Sequence, residues 1–278
     1  MPHGSVLGPI LFIYFINDLP DVVDCSIKIF ADDTKIYLPI YSKQDQVNLQ
    51  NNIDAMLEWC DRWLLRFNND KCTILHIGHG DTNPMYNYVM KDKDKVVELK
   101  NTKCEKDLGI YVDDKLKFDQ HITAIIRKAK NIIFLILRNI HFKSPRIMVP
   151  LFKALVRPIL EYGNVVWCPY TIKDIDAIEE VQRFYTKRII GMNNLSYEDR
   201  LHKLKLPSLE FRRLRGDMIE VFKISNKKYD AQTTNTFFEF CENMTRNNGK
   251  KLTKKQVNFK PFQYFFTNRI INVWNNYY

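Results

Sequence analysis

The sequence predicts an α+β fold in which a helix and antiparallel hairpins come first and an all-helical bundle follows. Three observations carry that expectation. Runs rich in β-branched and aromatic residues, joined by short polar connections, are confined to the stretch before residue 119. From His121 onward the apolar residues recur at helical spacing. The charge changes with the pattern: residues 1–119 carry a net −5, residues 120–230 a net +10 and residues 231–278 a net +5. A length of 278 residues suits one large domain or two small ones, and 45% hydrophobic content is enough for real cores.

Gly4-Ser5 and Gly8-Pro9 favour a loop running into a helix, with Pro9 tolerated in the first turn. Backbone N–H groups of such a loop can approach a nucleotide closely. The nearly continuous apolar run over residues 10–16 predicts a buried helix, which Asn17 to Pro20 then ends. Residues 26–30 and 34–38 read as strands, and Ala31-Asp32-Asp33 as their tight connection. A strand pair of this kind holds both carboxylates at one end of a hairpin. Rigidly placed carboxylates suit Mg2+, which takes a few hard oxygen ligands plus substrate phosphates, as two-metal phosphoryl transfer requires. Paired acids in loops are more often solvated turn residues. The chain also repeats the pattern, since Asp113-Asp114 lies between residues 108–112 and 115–118, and pattern alone does not separate the two pairs.

Residues 46–67 repeat apolar positions at helical spacing and predict an amphipathic helix packing under the first hairpin. Residues 72–77 read as a strand with Lys71 at its start. Residues 86–90 and 96–100 read as a second hairpin, and a further strand leads to Gly109. Ile122, Ile125, Ala129, Ile133 and Ile136 then form one helical stripe, with Arg127 and Lys128 beside it. Ser144-Pro145 opens a second helix, as N-cap and N1, and Arg157-Pro158 kinks or breaks it. Thr171 or Asp174 opens a third, which runs to Gly191 with Arg183, Lys187 and Arg188 in its last turns. Pro207-Ser208 precedes a fourth, which carries Arg212 and Arg213. Residues 230–260, polar and rich in Asn and Lys, predict a loop or mobile segment. The aromatic and aliphatic residues after 261 predict one terminal amphipathic helix.

The residues also carry a resemblance. Pro2-His3-Gly4-Ser5-Val6-Leu7-Gly8-Pro9, then Ile16-Asn17-Asp18-Leu19-Pro20, then Phe30-Ala31-Asp32-Asp33-Thr34 resemble consecutive motifs B and C of a reverse transcriptase of the non-LTR retrotransposon type, as in jockey-like and CR1-like mobile elements. Trp59, Trp63, Phe67-Asn68, Lys71-Cys72 and Gly78 resemble its motif D. Leu108-Gly109-Ile110, Asp113, Leu116, Phe118 and His121 resemble its motif E. Leu155-Val156-Arg157-Pro158, Leu160-Glu161-Tyr162-Gly163 and Val166-Trp167 resemble the segment beyond the polymerase core. His3 departs from the family, which usually has Gln there. The motif A aspartate, the fingers motifs and the upstream endonuclease domain are not in the sequence.

The resemblance implies a truncated polymerase palm over residues 1–118 and a helical thumb-like domain over residues 119–229, with residues 230–260 and 261–278 following. It implies an RNA-directed DNA polymerase using Mg2+, with Mn2+ as the alternative, and dNTP substrates. Asp32 and Asp33 hold the metal. Gly4, Ser5 and Ala31 lie against the nucleotide or template, and Leu108 and Gly109 belong to the primer grip. It makes Lys71 a candidate to protonate pyrophosphate, against the plainer reading of a surface lysine at a turn. Asp113-Asp114 is by the same resemblance a turn. The partners implied are an RNA template and a DNA primer, gripped through the phosphate backbone by Arg127, Lys128, Arg183, Lys187, Arg188, Arg212 and Arg213. Without motif A the expectation is that this chain alone does not polymerise DNA, which leaves a nucleic-acid-binding remnant as the alternative; a maturase-like splicing cofactor ranks below both. Six separated cysteines suit reduced thiols in the nucleus or cytoplasm. Cys60, Cys72, His76 and His79 could be drawn as a zinc site, but core placement is favoured for the two cysteines. The apolar run over residues 6–16 is too short to span a membrane.

Overall fold

A computed structural model describes residues 7–78, 86–92, 95–229, 237–241, 250–258 and 260–277. The chain divides into two compact units, residues 1–103 and 104–278.

The first unit is built round one long helix. Helix α1 (Leu7–Ile16) is apolar, yet only Ile16 is buried. Phe12, Phe15 and Ile16 meet the core, whereas Leu7, Ile10, Leu11, Ile13 and Tyr14 are exposed. The expected burial of the whole run is thus corrected. A helix that is apolar all round buries only the face that meets a neighbour. Strands β1 (Ser26–Phe30) and β2 (Asp33–Tyr37) pair antiparallel, from Ser26 opposite Tyr37 to Phe30 opposite Asp33. Helix α2 (Lys43–Arg62) starts at a capping box, in which the Ser42 hydroxyl accepts from the Asp45 N–H and the Asp45 carboxylate accepts from the Ser42 N–H at 2.7 Å. It ends five residues before the predicted limit, because Leu64 takes a left-handed φ of +57° and the chain folds back to pack Leu65 and Phe67 on the core.

Two buried amides on α2 hold the strands. Asn52 Oδ1 accepts from the N–H groups of Asp24 at 2.6 Å and Cys25 at 3.2 Å, just before β1. Gln50 pairs with the backbone of Val89 in both directions, at 2.8 and 2.9 Å, and so acts as a strand partner for β4. Strand β3 (Thr73–Leu75) pairs in parallel with β6 (Lys100–Thr102), and β4 (Val89–Asp92) pairs antiparallel with β5 (Lys95–Glu98). Ile27, Ile29 and Ile36 pack against the core of Met56, Trp59 and Cys60, which is the predicted seating of hairpin on helix. Burial pushes the Cys60 thiol up to about 11, which keeps it protonated and inert in that core.

The second unit opens with strands β7 (Cys104–Asp107) and β8 (Ile110–Asp113), joined by Leu108-Gly109 with φ of +45° and +88°. Positive φ at both central residues is the signature of a type I′ hairpin turn. Helix α3 (Asp119–Asn139) buries the predicted stripe, including Ile122, Ile125, Ala129, Ile133 and Ile136. Helix α4 (Pro145–Leu151) passes through a π-helical stretch (Phe152–Val156) into α5 (Arg157–Glu161), so the break falls at the predicted Arg157-Pro158. Gly163 has φ +64°, and a Cβ there would lie 2.6 Å from Ile110 Cδ1. Glycine adopts that conformation without strain and leaves room for the Ile110 side chain.

Helices α6 (Asn164–Trp167), α7 (Ile172–Thr186), α8 (Tyr197–Leu204) and α9 (Leu209–Ser225) complete the bundle. Thr171 caps α7 through a bond from the Asp174 N–H at 3.2 Å. That helix stops at Thr186, short of its predicted end at Gly191, and turns carry the chain on to that glycine. The main core gathers Met148, Phe152, Val156, Leu160, Trp167 and Tyr185, all fully buried. A second core joins Val221 and Ile224 of α9 to Phe238, Leu252, Phe266, Ile270 and Trp274. The terminal segment is not the single helix predicted but three short ones, Lys260–Gln263, Phe266–Arg269 and Ile271–Tyr277. No helix among the described residues is long and apolar enough to cross a membrane.

His121 is buried at 1% exposure, with Nδ1 accepting from the Tyr111 N–H at 3.4 Å and its ring edge on Trp167. Burial pushes its pKa down to about 4. The unfolded chain takes up this proton near pH 6.5 and the folded chain does not. Stability is therefore complete above pH 6.5 and falls as pH drops to 4, by roughly 3 kcal/mol. Denaturation at pH 7 and pH 4.5 should show a larger loss for the native chain than for His121→Gln; equal losses would refute the assignment.

Candidate active site and nucleic-acid interface

The hairpin that carries Asp32 and Asp33 is tighter than predicted. Its turn is the two residues Ala31-Asp32, and Asp33 already belongs to β2, opposite Phe30. Ala31 has φ +52°, and Asp32 is not among the positive-φ residues, which is the φ pattern of a type II′ turn. Glycine normally fills the first position, so Ala31 there costs about 1 kcal/mol. Cross-strand partners share a face, so Asp33 projects with Phe30 away from the side that buries Ile27 and Ile29. Ala31, Asp32 and Asp33 are all exposed.

Among the described residues no three His, Cys, Asp or Glu side chains cluster as a metal site. The hairpin itself offers two adjacent exposed carboxylates. That donor set fits Mg2+, which uses one or two protein carboxylates and fills its shell with water and substrate phosphates. Lys71 is exposed in the turn before β3, its backbone N–H donating to Asn68 O at 2.9 Å. Gly4 and Ser5 lie outside the described residues, as does His79.

Asp113 does different work from Asp32. Its carboxylate accepts the backbone N–H groups of Lys115 at 3.0 Å, Lys117 at 3.1 Å and Phe118 at 2.6 Å. These bonds close the turn that leads into α3, where Leu116 and Phe118 both have positive φ. Asp113→Ala should lower stability by about 2 kcal/mol, and Asp114→Ala by under about 0.5 kcal/mol, in denaturant titrations. Equal effects would show that Asp113 does not hold the turn.

Leu108 and Gly109 form the β7–β8 turn, and the Tyr162 hydroxyl donates to Leu108 O at 2.9 Å. Arg127 and Lys128 sit on the solvent side of α3. Lys187 and Arg188 are exposed just past the end of α7 and Arg183 is half-buried in its last turn, so these three lie together. Arg212 and Arg213 do not join them. Arg212 forms a bidentate pair with Glu161, Nη2 to Oε2 at 2.8 Å. Arg213 is 3% exposed, and its Nη1 and Nη2 have no hydrogen-bond partner. As backbone contacts, these two are corrected: one guanidinium is committed and the other is inside the protein. Sequence reasoning missed Glu179, a buried carboxylate that accepts the N–H groups of Leu209 and Glu210 and the Tyr197 hydroxyl, and so caps α9. A glutamate on the apolar face of α7, next to Ile178 and Val181, was the available signal.

Comparison with known proteins bears on the first part of the chain most directly. Residues 1–138 match the family described as reverse transcriptase (RNA-dependent DNA polymerase). The chain is 28% identical over 225 residues to the "RNA-directed DNA polymerase from mobile element jockey" of Drosophila melanogaster, covering 75% of this chain and 24% of that protein. It is 26% identical over 251 residues to the protein of the same name from Drosophila funebris, covering 83% and 26%. It is 27% identical over 202 residues to the "Probable RNA-directed DNA polymerase from transposon X-element" of Drosophila melanogaster, covering 67% and 21%. The chain thus spans about a quarter of the length of these three relatives. No solved structure matches it. Residues 1–138 are thus similar to reverse transcriptases, and the chain is similar over most of its length to the RNA-directed DNA polymerases of mobile elements.

Proposed function

We propose that this chain is a palm and thumb portion of a non-LTR retrotransposon polymerase, from motif B onward, and that the complete enzyme copies RNA into DNA. The observation that carries this reading is the Asp32-Asp33 pair, presented at a two-residue hairpin turn within the reverse transcriptase match. In the complete enzyme these carboxylates would hold Mg2+. The metal supplies charge stabilisation for the attacking and leaving oxygens of nucleotidyl transfer. The chain's own share is to fix two ligands on a braced hairpin and to hold the primer–template through its basic helical unit, which attracts phosphates without reading bases.

The test is magnesium-dependent primer extension on an RNA template. It uses the jockey polymerase of Drosophila melanogaster with this chain in place of the region it matches. Extension that depends on the metal is expected, and no extension from a folded hybrid overturns the reading. A second reading has its own support. With two carboxylates and no third clustered beside them among the described residues, the chain by itself would bind Mg2+ weakly, because the ion dehydrates reluctantly. By itself it would then bind nucleic acid without extending it, which gel-shift and extension assays on the same sample would separate.

A further inference from the structure

We propose that Tyr162 is a positioning residue for nucleotidyl transfer: its hydroxyl braces the tip of the β7–β8 hairpin, and the braced tip fixes the primer 3′-hydroxyl. The role of the tip rests on the polymerase reading, in which Leu108 and Gly109 belong to the primer grip; the brace itself does not.

The tip is strained and exposed. Leu108 and Gly109 have φ of +45° and +88°. Glycine takes such a conformation freely, whereas a bulky side chain is rarely found there. Leu108 is 42% exposed, so burial offsets little of that strain. A strained residue in an exposed turn marks a place where the geometry itself is put to use.

The brace comes from far along the chain. The Tyr162 hydroxyl donates to Leu108 O at 2.9 Å across 54 residues. A Cβ at Gly109 would lie 3.5 Å from Tyr162 Cε1, so the ring rests on the second turn residue as well. Tyr162 is 58% exposed and adds little to the core. The chain on either side of it is held firmly. Glu161 is paired with Arg212 of α9, the Trp167 Nε1–H donates to Tyr162 O at 2.7 Å, and Gly163 closes on Ile110. Further down the same hairpin, His121 accepts the Tyr111 N–H and sets its ring edge on Trp167. Buried groups therefore hold the base of the hairpin, and Tyr162 extends that support to its tip. One exposed hydrogen bond contributes little to overall stability. Its effect falls on where the tip sits, and nucleotidyl transfer is sensitive to small displacements of the attacking group.

Tyr162→Phe keeps the ring on Gly109 and removes only the hydroxyl. In the full chain, hydrogen exchange should quicken about fivefold at the amides of residues 107–111 and stay unchanged in α3. In the hybrid polymerase, single-turnover extension at saturating dNTP should fall about tenfold, with the Kd for primer–template within about twofold of the parent. That split separates positioning from a damaged fold, which would weaken binding too. Tyr229→Phe removes another exposed tyrosine hydroxyl, one that donates to Glu220, and should change neither quantity. Unchanged exchange at the tip, an extension rate within about twofold of the parent, or a loss that lies wholly in primer–template affinity each overturns the proposal. A parent hybrid that does not extend defeats the polymerase reading, and the positioning role with it; an active parent matched by Tyr162→Phe defeats the positioning role alone.

Discussion

Asp32→Asn is expected to reduce magnesium-dependent extension by the hybrid polymerase at least about a hundredfold, equivalent to roughly 3 kcal/mol of transition-state stabilisation. The substitution keeps the size of the side chain and removes its charge. A neutral amide oxygen is a poorer ligand for a hard dication that must shed water to bind. The fold should not suffer, because Asp32 is exposed in a turn. Nor is nucleic-acid binding expected to fall, since a negative charge is lost and none is gained. Asp33→Asn should also slow extension, as the neighbouring carboxylate at the start of β2. Asp114→Asn serves as the control, an aspartate from the other Asp-Asp pair, and should leave the rate unchanged. An Asp32→Asn enzyme within about threefold of the parent rate would remove the hairpin from the chemistry.

The two Asp-Asp pairs show what could be read from the sequence and what could not. Both hairpins are legible, because alternating β-formers on either side of a short polar connection leave few other structures open. The roles of the aspartates are not, because they depend on where nearby N–H groups point. Asp113 is surrounded by the N–H groups of residues 115, 117 and 118, which follow it in a turn where Leu116 and Phe118 are left-handed. Helix α1 makes a similar point: an apolar run says what can be buried, and only a neighbour decides what is. The two arginines of α9 differ in role for a reason that lies in their spacing. Leu209, Arg213, Asp217, Val221 and Ile224 follow one another at spacings of three and four, so Arg213 lies on the buried stripe and Asp217 lies there to meet a cation. Arg200 stands likewise between Tyr197 and Leu204 on α8. The contacts of Gln50 and Asn52 with strands 39 and 28 residues away have no local signature at all.

Arg269→Met is expected to destabilise the second unit by roughly 3–5 kcal/mol at neutral pH. Arg269 forms a bidentate pair with Asp217, Nε to Oδ2 at 2.8 Å and Nη2 to Oδ1 at 2.9 Å, and the two side chains are 13% and 3% exposed. Its remaining donors reach Asn164 O, Val165 O and Tyr264 O. One guanidinium therefore ties the terminal helices to α6 and α9. Burial already raises the Asp217 pKa, and Arg269 opposes that rise. Without the arginine the carboxylate is left buried and unpaired, so its folded pKa moves further above its unfolded value near 4. A group with a raised folded pKa is at its least costly below the unfolded pKa, and the penalty grows as pH rises through the folded one. The defect of Arg269→Met should accordingly shrink on acidification toward pH 4. Adding Asp217→Asn should recover part of the loss at pH 7, because it removes the stranded charge. Denaturant unfolding followed by tryptophan fluorescence, with Trp167 and Trp274 both in this unit, would measure the cycle. A loss below about 1 kcal/mol, or one that does not change with pH, would mean that the second core of Val221, Phe266 and Trp274 holds the terminal helices without help from the ion pair.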